Sequence, residues 1–137
     1  MLSRRGWRPP LALAESGLGG SVPDGELREL DRLSTRLDLT AGRLVIRQAT
    51  PGRECLVVIE GALVVERDEE LVAVLGPGEV AGELALLTDR RRSADVTADT
   101  DTSVYAMNRR EFATVIDRCP VLARHVMTTA LRRSRAA

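Results

Sequence analysis

The chain carries a succession of short Val-, Leu- and Ile-rich runs, each broken by turn-forming residues, and that rhythm constrains its fold more than any other feature. Leu44-Val45-Ile46 follows Ala41-Gly42. Cys55 to Ile59 and Ala62 to Glu66 flank Glu60-Gly61, and Leu71 to Leu75 follows the acidic turn Arg67-Asp68-Glu69-Glu70. Gly76-Pro77-Gly78 then breaks the chain, and Ala94 to Ala98 and Ser103 to Met107 flank Asp99-Thr100-Asp101. Short strands with turn signals between them are the pattern of an antiparallel sandwich or small barrel.

Helical periodicity brackets this β-region. Leu27, Leu30, Leu33 and Leu37 fall at helical spacing after Pro23, which predicts a short amphipathic helix over 24–37 with Asp24 as its N-cap. Phe112, Val115 and Ile116 share one face of a helix predicted over 109–117. Pro120 suits a first helical position and opens a second helix to about Arg133, carrying Leu122, Val126, Met127, Ala130 and Leu131. The expected fold is mainly β, with an N-terminal helix and two C-terminal helices. Residues 1–22, rich in Arg, Gly, Pro and Ser without a sustained period, are expected to be a flexible leader, and residues 23–137 a single domain.

Composition narrows the function. The aromatics are Trp7, Tyr105 and Phe112, so the core must be aliphatic. Twenty arginines, with no lysine, balance twenty acidic residues, and that neutrality argues against a general nucleic-acid binder. Cys55 and Cys119 are isolated and lack metal-site spacing; they are expected to be buried thiols in a reducing cytoplasm. His125 is the sole histidine and cannot supply a metal site, so no metal is expected. No nucleophile and base stand with a supporting third group, so an enzyme is not expected. No run is long and apolar enough to cross a membrane, and the LALA stretch behind the N-terminal arginines is too short for a signal peptide, which leaves a cytoplasmic location.

The segment Gly82 to Ala94, GELALLTDRRRSA, carries the chemistry. Gly82 allows a tight bend, after which Glu83 to Leu87 can form one helical turn whose first amides lack internal partners and favour an anion. Glu83 can accept from sugar hydroxyls, and Arg92, nine positions on, can grip phosphate oxygens with two N–H groups. Ser93 adds a hydroxyl. Together these suit a small phosphate attached to a sugar. Each residue also has an ordinary reading: Glu83 as an acid favoured at a helix start, Arg92 as the partner of Asp89, Asp95 or Glu83, and Arg90-Arg91-Arg92 as a solvated loop.

On these residues the chain resembles the cyclic nucleotide-binding domain family, the sensory module of catabolite activators and kinase regulatory subunits. Its phosphate-binding cassette reads G-E-[LI]-[AG]-L, a short variable stretch, then R-x-A; here GELAL is followed by LTDRR and RSA. Gly52, Gly61 and Gly78 and the segment SADVTADTDTSVYAMNRREF also match, so that the resemblance covers roughly residues 24–133. It implies a jelly-roll-like antiparallel β-barrel or sandwich and a cyclic nucleotide ligand. Carried over, Glu83 holds the ribose 2′-hydroxyl, Arg92 pairs with the exocyclic phosphate oxygens, and Gly82, the amides near Leu84 and Ala85, and Ser93 complete the phosphate shell. Ala94 keeps the strand close.

The sequence departs from the family at Ala81, where an aromatic residue is common, at Arg91, where proline is common, and in the C-terminal helix, which lacks an aromatic to cover a purine. A lid must then be aliphatic or come from a partner chain. A threonine after the arginine is associated with guanine preference; Ser93 stands there, and the reading favours cyclic AMP over cyclic GMP. The resemblance further implies a regulatory module that signals through its C-terminal helices to an effector protein or a second copy paired along Pro120–Arg133. In the activators of this family such a helix leads into a DNA-reading unit; the sequence stops at Ala137, so a stand-alone domain without direct DNA binding is expected. The competing expectation is a degenerate, ligand-independent interaction domain of the same fold.

Overall fold

A computed structural model describes residues 6–88 and 90–136. Eight strands form two antiparallel four-stranded sheets. Their elements are β1 (Thr35–Leu39), β2 (Leu44–Ile46), β3 (Glu54–Glu60), β4 (Leu63–Arg67), β5 (Glu70–Leu75), β6 (Val80–Ala81), β7 (Asp95–Ala98) and β8 (Thr102–Asn108). One sheet has the order β1-β8-β3-β6 and the other β2-β7-β4-β5. The jelly-roll-like sandwich and its two C-terminal helices, α5 (Arg109–Arg118) and α6 (Pro120–Ala136), are as expected.

β3 and β8 are buried on both faces, which explains why their sequences read as unbroken apolar runs. Side chains alternate along a strand. Leu56, Val58, Val104 and Ala106 therefore pack between the sheets with Leu63, Leu75 and Val96. Cys55, Val57, Tyr105 and Met107 point the other way, beneath the helices, against Leu27, Leu30, Phe112, Val115 and Leu122. Both cysteines are buried free thiols.

The N-terminal region differs from expectation. Residues 11–21 form two short helices, α1 (Leu11–Ala14) and α2 (Gly17–Ser21), and Leu13, Leu18 and Val22 are buried in the helix-side core. Three buried aliphatic side chains supply the ordering energy that local propensity lacks. The flexible-leader reading is therefore corrected over these residues; residues 1–5 lie outside the described ones. α3 (Asp24–Leu33) begins one residue after Pro23, which occupies the N-cap in place of Asp24, and ends at Ser34, whose backbone N–H and hydroxyl both turn back to the Leu30 carbonyl. Leu37, expected on that helix, lies instead in β1 against β8.

The C-terminal helices are fixed at their starts. Asn108 and Glu111 cap α5 reciprocally, at 2.8 and 2.9 Å. The Glu26 carboxylate of α3 accepts from the amides of Val121 (3.3 Å) and Leu122 (2.9 Å), so α6 is capped by a side chain from another helix. The Tyr105 hydroxyl donates to Asp31 Oδ1 at 2.6 Å and ties α3 to β8.

Candidate functional site

β6 leads through Gly82 into α4 (Glu83–Thr88), and the chain returns through Arg90–Ala94 into β7. Gly82 has φ +87°, and a Cβ there would lie 2.5 Å from Arg92 Nη1 and 2.8 Å from the Glu54 carbonyl. Only glycine satisfies both the left-handed backbone and the close approach. Gly52 plays the second role from across the site: a Cβ on it would meet Ala85 Cβ at 2.3 Å. The backbone of α4 is thus packed directly on the loop before β3.

Arg92 is buried, and its guanidinium donates from Nη1 to the Gly82 carbonyl at 2.8 Å and from Nη2 to the Glu54 carbonyl. Burial lowers its pKa from the usual arginine value, with the neighbouring Glu54 and Glu83 carboxylates acting in the opposite sense. Arginine starts so high that it stays charged at neutral pH. Paired backbone bonds from Arg92 N to Thr50 O and from Ala49 N to Arg92 O, both 2.8 Å, fix the returning strand. Arg109, at the start of α5, donates to the carbonyls of Leu86 (2.9 Å) and Gly52 (3.3 Å), so α5 grips the end of α4.

Glu83 is 1% exposed at the start of α4. Its carboxylate accepts from Arg133 Nη1, at 2.8 Å to Oε2 and also through Oε1. Beneath it lies Cys55, whose thiol pKa is pushed up by burial and, secondarily, by the Glu83 charge.

A cavity of about 260 Å³ runs along this segment, and all of Gly82, Glu83, Leu84, Ala85, Arg92, Ser93 and Ala94 line it. Glu83 and Arg92 thus border one space, with the Glu83 carboxylate covered by Arg133. Ile46, Val65, Val72 and Leu75 make its apolar wall. A space lined by charged side chains and an apolar wall suits a small organic ligand with a polar group. Ser93 is exposed, with its carbonyl accepting from Arg67 Nε at 3.1 Å, and Ala94 is buried.

Arg133 was not expected at the site. In α6, Leu122, Val126, Thr129 and Ala130 face inward, whereas Met127 and Leu131 are 39% and 61% exposed. The buried row 122, 126, 129/130 continues at helical spacing to 133, and that row was the available signal. A lid was expected to be aliphatic or to come from a partner chain; α6 itself brings a cation, Arg133, onto Glu83. Among the described residues no cluster of His, Cys, Asp or Glu is arranged to hold a metal ion, and no helix is long and apolar enough to cross a membrane.

Residues 36–119, more than half of the chain, match the family model for the cyclic nucleotide-binding domain. The chain is similar to the cyclic AMP receptor protein of Thermus thermophilus, 33% identical over 70% of this chain and 47% of that protein. It is also similar to a cGMP-dependent protein kinase of Caenorhabditis elegans, 34% identical over 68% of this chain but 12% of the kinase. It thus spans less than half the length of these relatives. Among solved structures, the catabolite activator protein of Thermus thermophilus superposes with a TM-score of 0.77 at 28% identity, covering 88% of this chain and 59% of that one. The chain belongs to the cyclic nucleotide-binding domain family.

Proposed function

We propose that the chain is a cyclic nucleotide sensor that binds its ligand along residues 82–94 and prefers cyclic AMP. The observation that carries this reading is that Glu83 and Arg92 border one cavity with an apolar wall. Glu83 would accept from the ribose 2′-hydroxyl. Arg92 spends two of its N–H groups on the carbonyls of Gly82 and Glu54, which pre-orients the fork and leaves further N–H groups for the exocyclic phosphate oxygens. The first amides of α4, at Leu84 and Ala85, and the Ser93 hydroxyl complete the phosphate shell, and the purine lies against Val65, Val72 and Leu75. The binding unit runs over 23–137, with α1 and α2 packed onto it.

The output passes through α6, which touches both α4 and α5. A ligand that contacts α4 differently from the empty site shifts the position of α6. The exposed Met127 and Leu131, one turn apart, offer a face for a second copy or an effector.

One observation favours a second reading, a ligand-independent interaction domain: both Glu83 and Arg92 already have partners within the chain. A thermal-shift titration separates the two. Millimolar cyclic AMP raises the melting temperature of the sensor and leaves that of Arg92→Leu unchanged, whereas no shift with cyclic AMP or cyclic GMP favours the second reading.

A further inference from the structure

The contact between α6 and α4 is a charge pair placed on the proposed ribose-binding carboxylate. Arg133 Nη1 sits across both oxygens of Glu83, and with Arg133 in place Glu83 is 1% exposed. A hydroxyl from the cavity therefore cannot reach the carboxylate unless the guanidinium moves. Arg133 itself is about one-third exposed and lies on the last turns of α6, so an exit toward solvent is open to it. Glu83, fixed at the start of α4 between Gly82 and the core residues Ala85 and Leu86, has no such freedom.

We infer that Arg133 is a specificity-determining residue: it occupies Glu83 in the ligand-free protein, and a ligand displaces it only by supplying a replacement donor, the ribose 2′-hydroxyl. The inference rests on the sensor reading above. A buried carboxylate stripped of its partner is strongly disfavoured, so Glu83 exchanges one donor for another and does not stand empty. A ligand without the 2′-hydroxyl must leave Arg133 where it is. The pair also links ligand chemistry to the helix: binding of the hydroxyl frees the last turns of α6 from α4.

The test is a cycle of two ligands and two proteins. The affinities of cyclic AMP and 2′-deoxy cyclic AMP are measured by calorimetry for the wild-type chain and for Arg133→Ala. The Arg133 charge stays beside 2′-deoxy cyclic AMP and leaves with cyclic AMP, so all four affinities are measured at high salt, where its longer-range pull on phosphate is screened. Competition for Glu83 predicts that the preference for the 2′-hydroxyl grows at least five-fold in Arg133→Ala, because the hydroxyl no longer has a guanidinium to expel. An unchanged ratio, or a smaller one, overturns the inference while the sensor reading stands. Absence of any cyclic AMP binding by the wild-type chain overturns both. Should Arg133→Ala fail to give a cooperative melt, Arg133→Gln carries the comparison, since its amide keeps a neutral NH2 donor without the charged fork; its ratio is expected to exceed the wild-type value, and equality overturns the inference.

Discussion

Arg92 reaches back ten residues to donate from Nη1 to the carbonyl of Gly82, at 2.8 Å, closing the cassette on itself at its first residue. The two ends of the segment are thus one unit: the glycine provides the space and the carbonyl, and the arginine fills both. Gly82→Ala brings a Cβ into the left-handed region and within 2.5 Å of that guanidinium. It is expected to lower stability by about 1–2 kcal/mol from the backbone alone, and to abolish cyclic nucleotide binding. Denaturant melts and a ligand titration of the variant check both.

Arg133→Ala leaves Glu83 without its partner in the empty protein. Water entering the vacated space screens part of the loss, so a destabilisation of about 1–3 kcal/mol is expected. Adding Glu83→Gln removes the unpaired charge and should recover part of it. A double variant less stable than Arg133→Ala would contradict the pairing.

Glu26 caps α6 across the fold through the amides of Val121 and Leu122. Glu26→Ala is expected to cost about 1 kcal/mol, the usual value of a helix cap. Hydrogen exchange should speed up at the start of α6 before it does in β3 or β8. Uniform acceleration everywhere would mean that the cap contributes nothing local.

Tyr105 supplies a pH dependence. Burial, then its hydrogen bond to Asp31, raise its phenol pKa well above the ordinary value near 10. A raised folded-state pKa means that the stabilisation is complete below the unfolded value and is lost as pH climbs through the folded one. The wild-type chain should therefore lose stability above about pH 10, and Tyr105→Phe should lose less over the same range. At neutral pH the same variant should cost about 1.5–3 kcal/mol, the worth of a hydrogen bond to a charged group. Parallel alkaline profiles would refute the assignment.

The elements legible in the sequence are those whose physics is local. β3 and β8 stand between two layers, and LVVI and VYAM announce this by lacking polar alternation. Gly82 to Ala94 is contiguous, so its glycine, carboxylate and arginine could be read together. β1 was hidden because TRLDL alternates weakly and its Leu37 continues the leucine spacing of α3. That helix stops where Ser34 folds back on Leu30, a side-chain bond that periodicity does not register. α2 was hidden by its own glycines: GLGGS has poor helix propensity, yet Gly19 is what lets the backbone pack on the Leu13 and Ala14 carbonyls.

At the site, Arg133 escaped notice because it lies fifty residues from Glu83. The buried row along α6 fixes its direction, but only the packing of α6 on α4 fixes its partner. Conversely, the absence of an aromatic residue in α6 was plain in the sequence, while the cation that stands there instead was not.

The central claim is that the 82–94 segment holds a cyclic nucleotide through Glu83 and Arg92, and calorimetric titration of the wild-type chain with cyclic AMP tests it most directly. The account predicts saturable one-site binding that is lost in Arg92→Leu and weakened in Glu83→Ala, with both variants still folded. Flat heats for cyclic AMP and cyclic GMP at millimolar concentration, or an Arg92→Leu affinity equal to wild type, would contradict it.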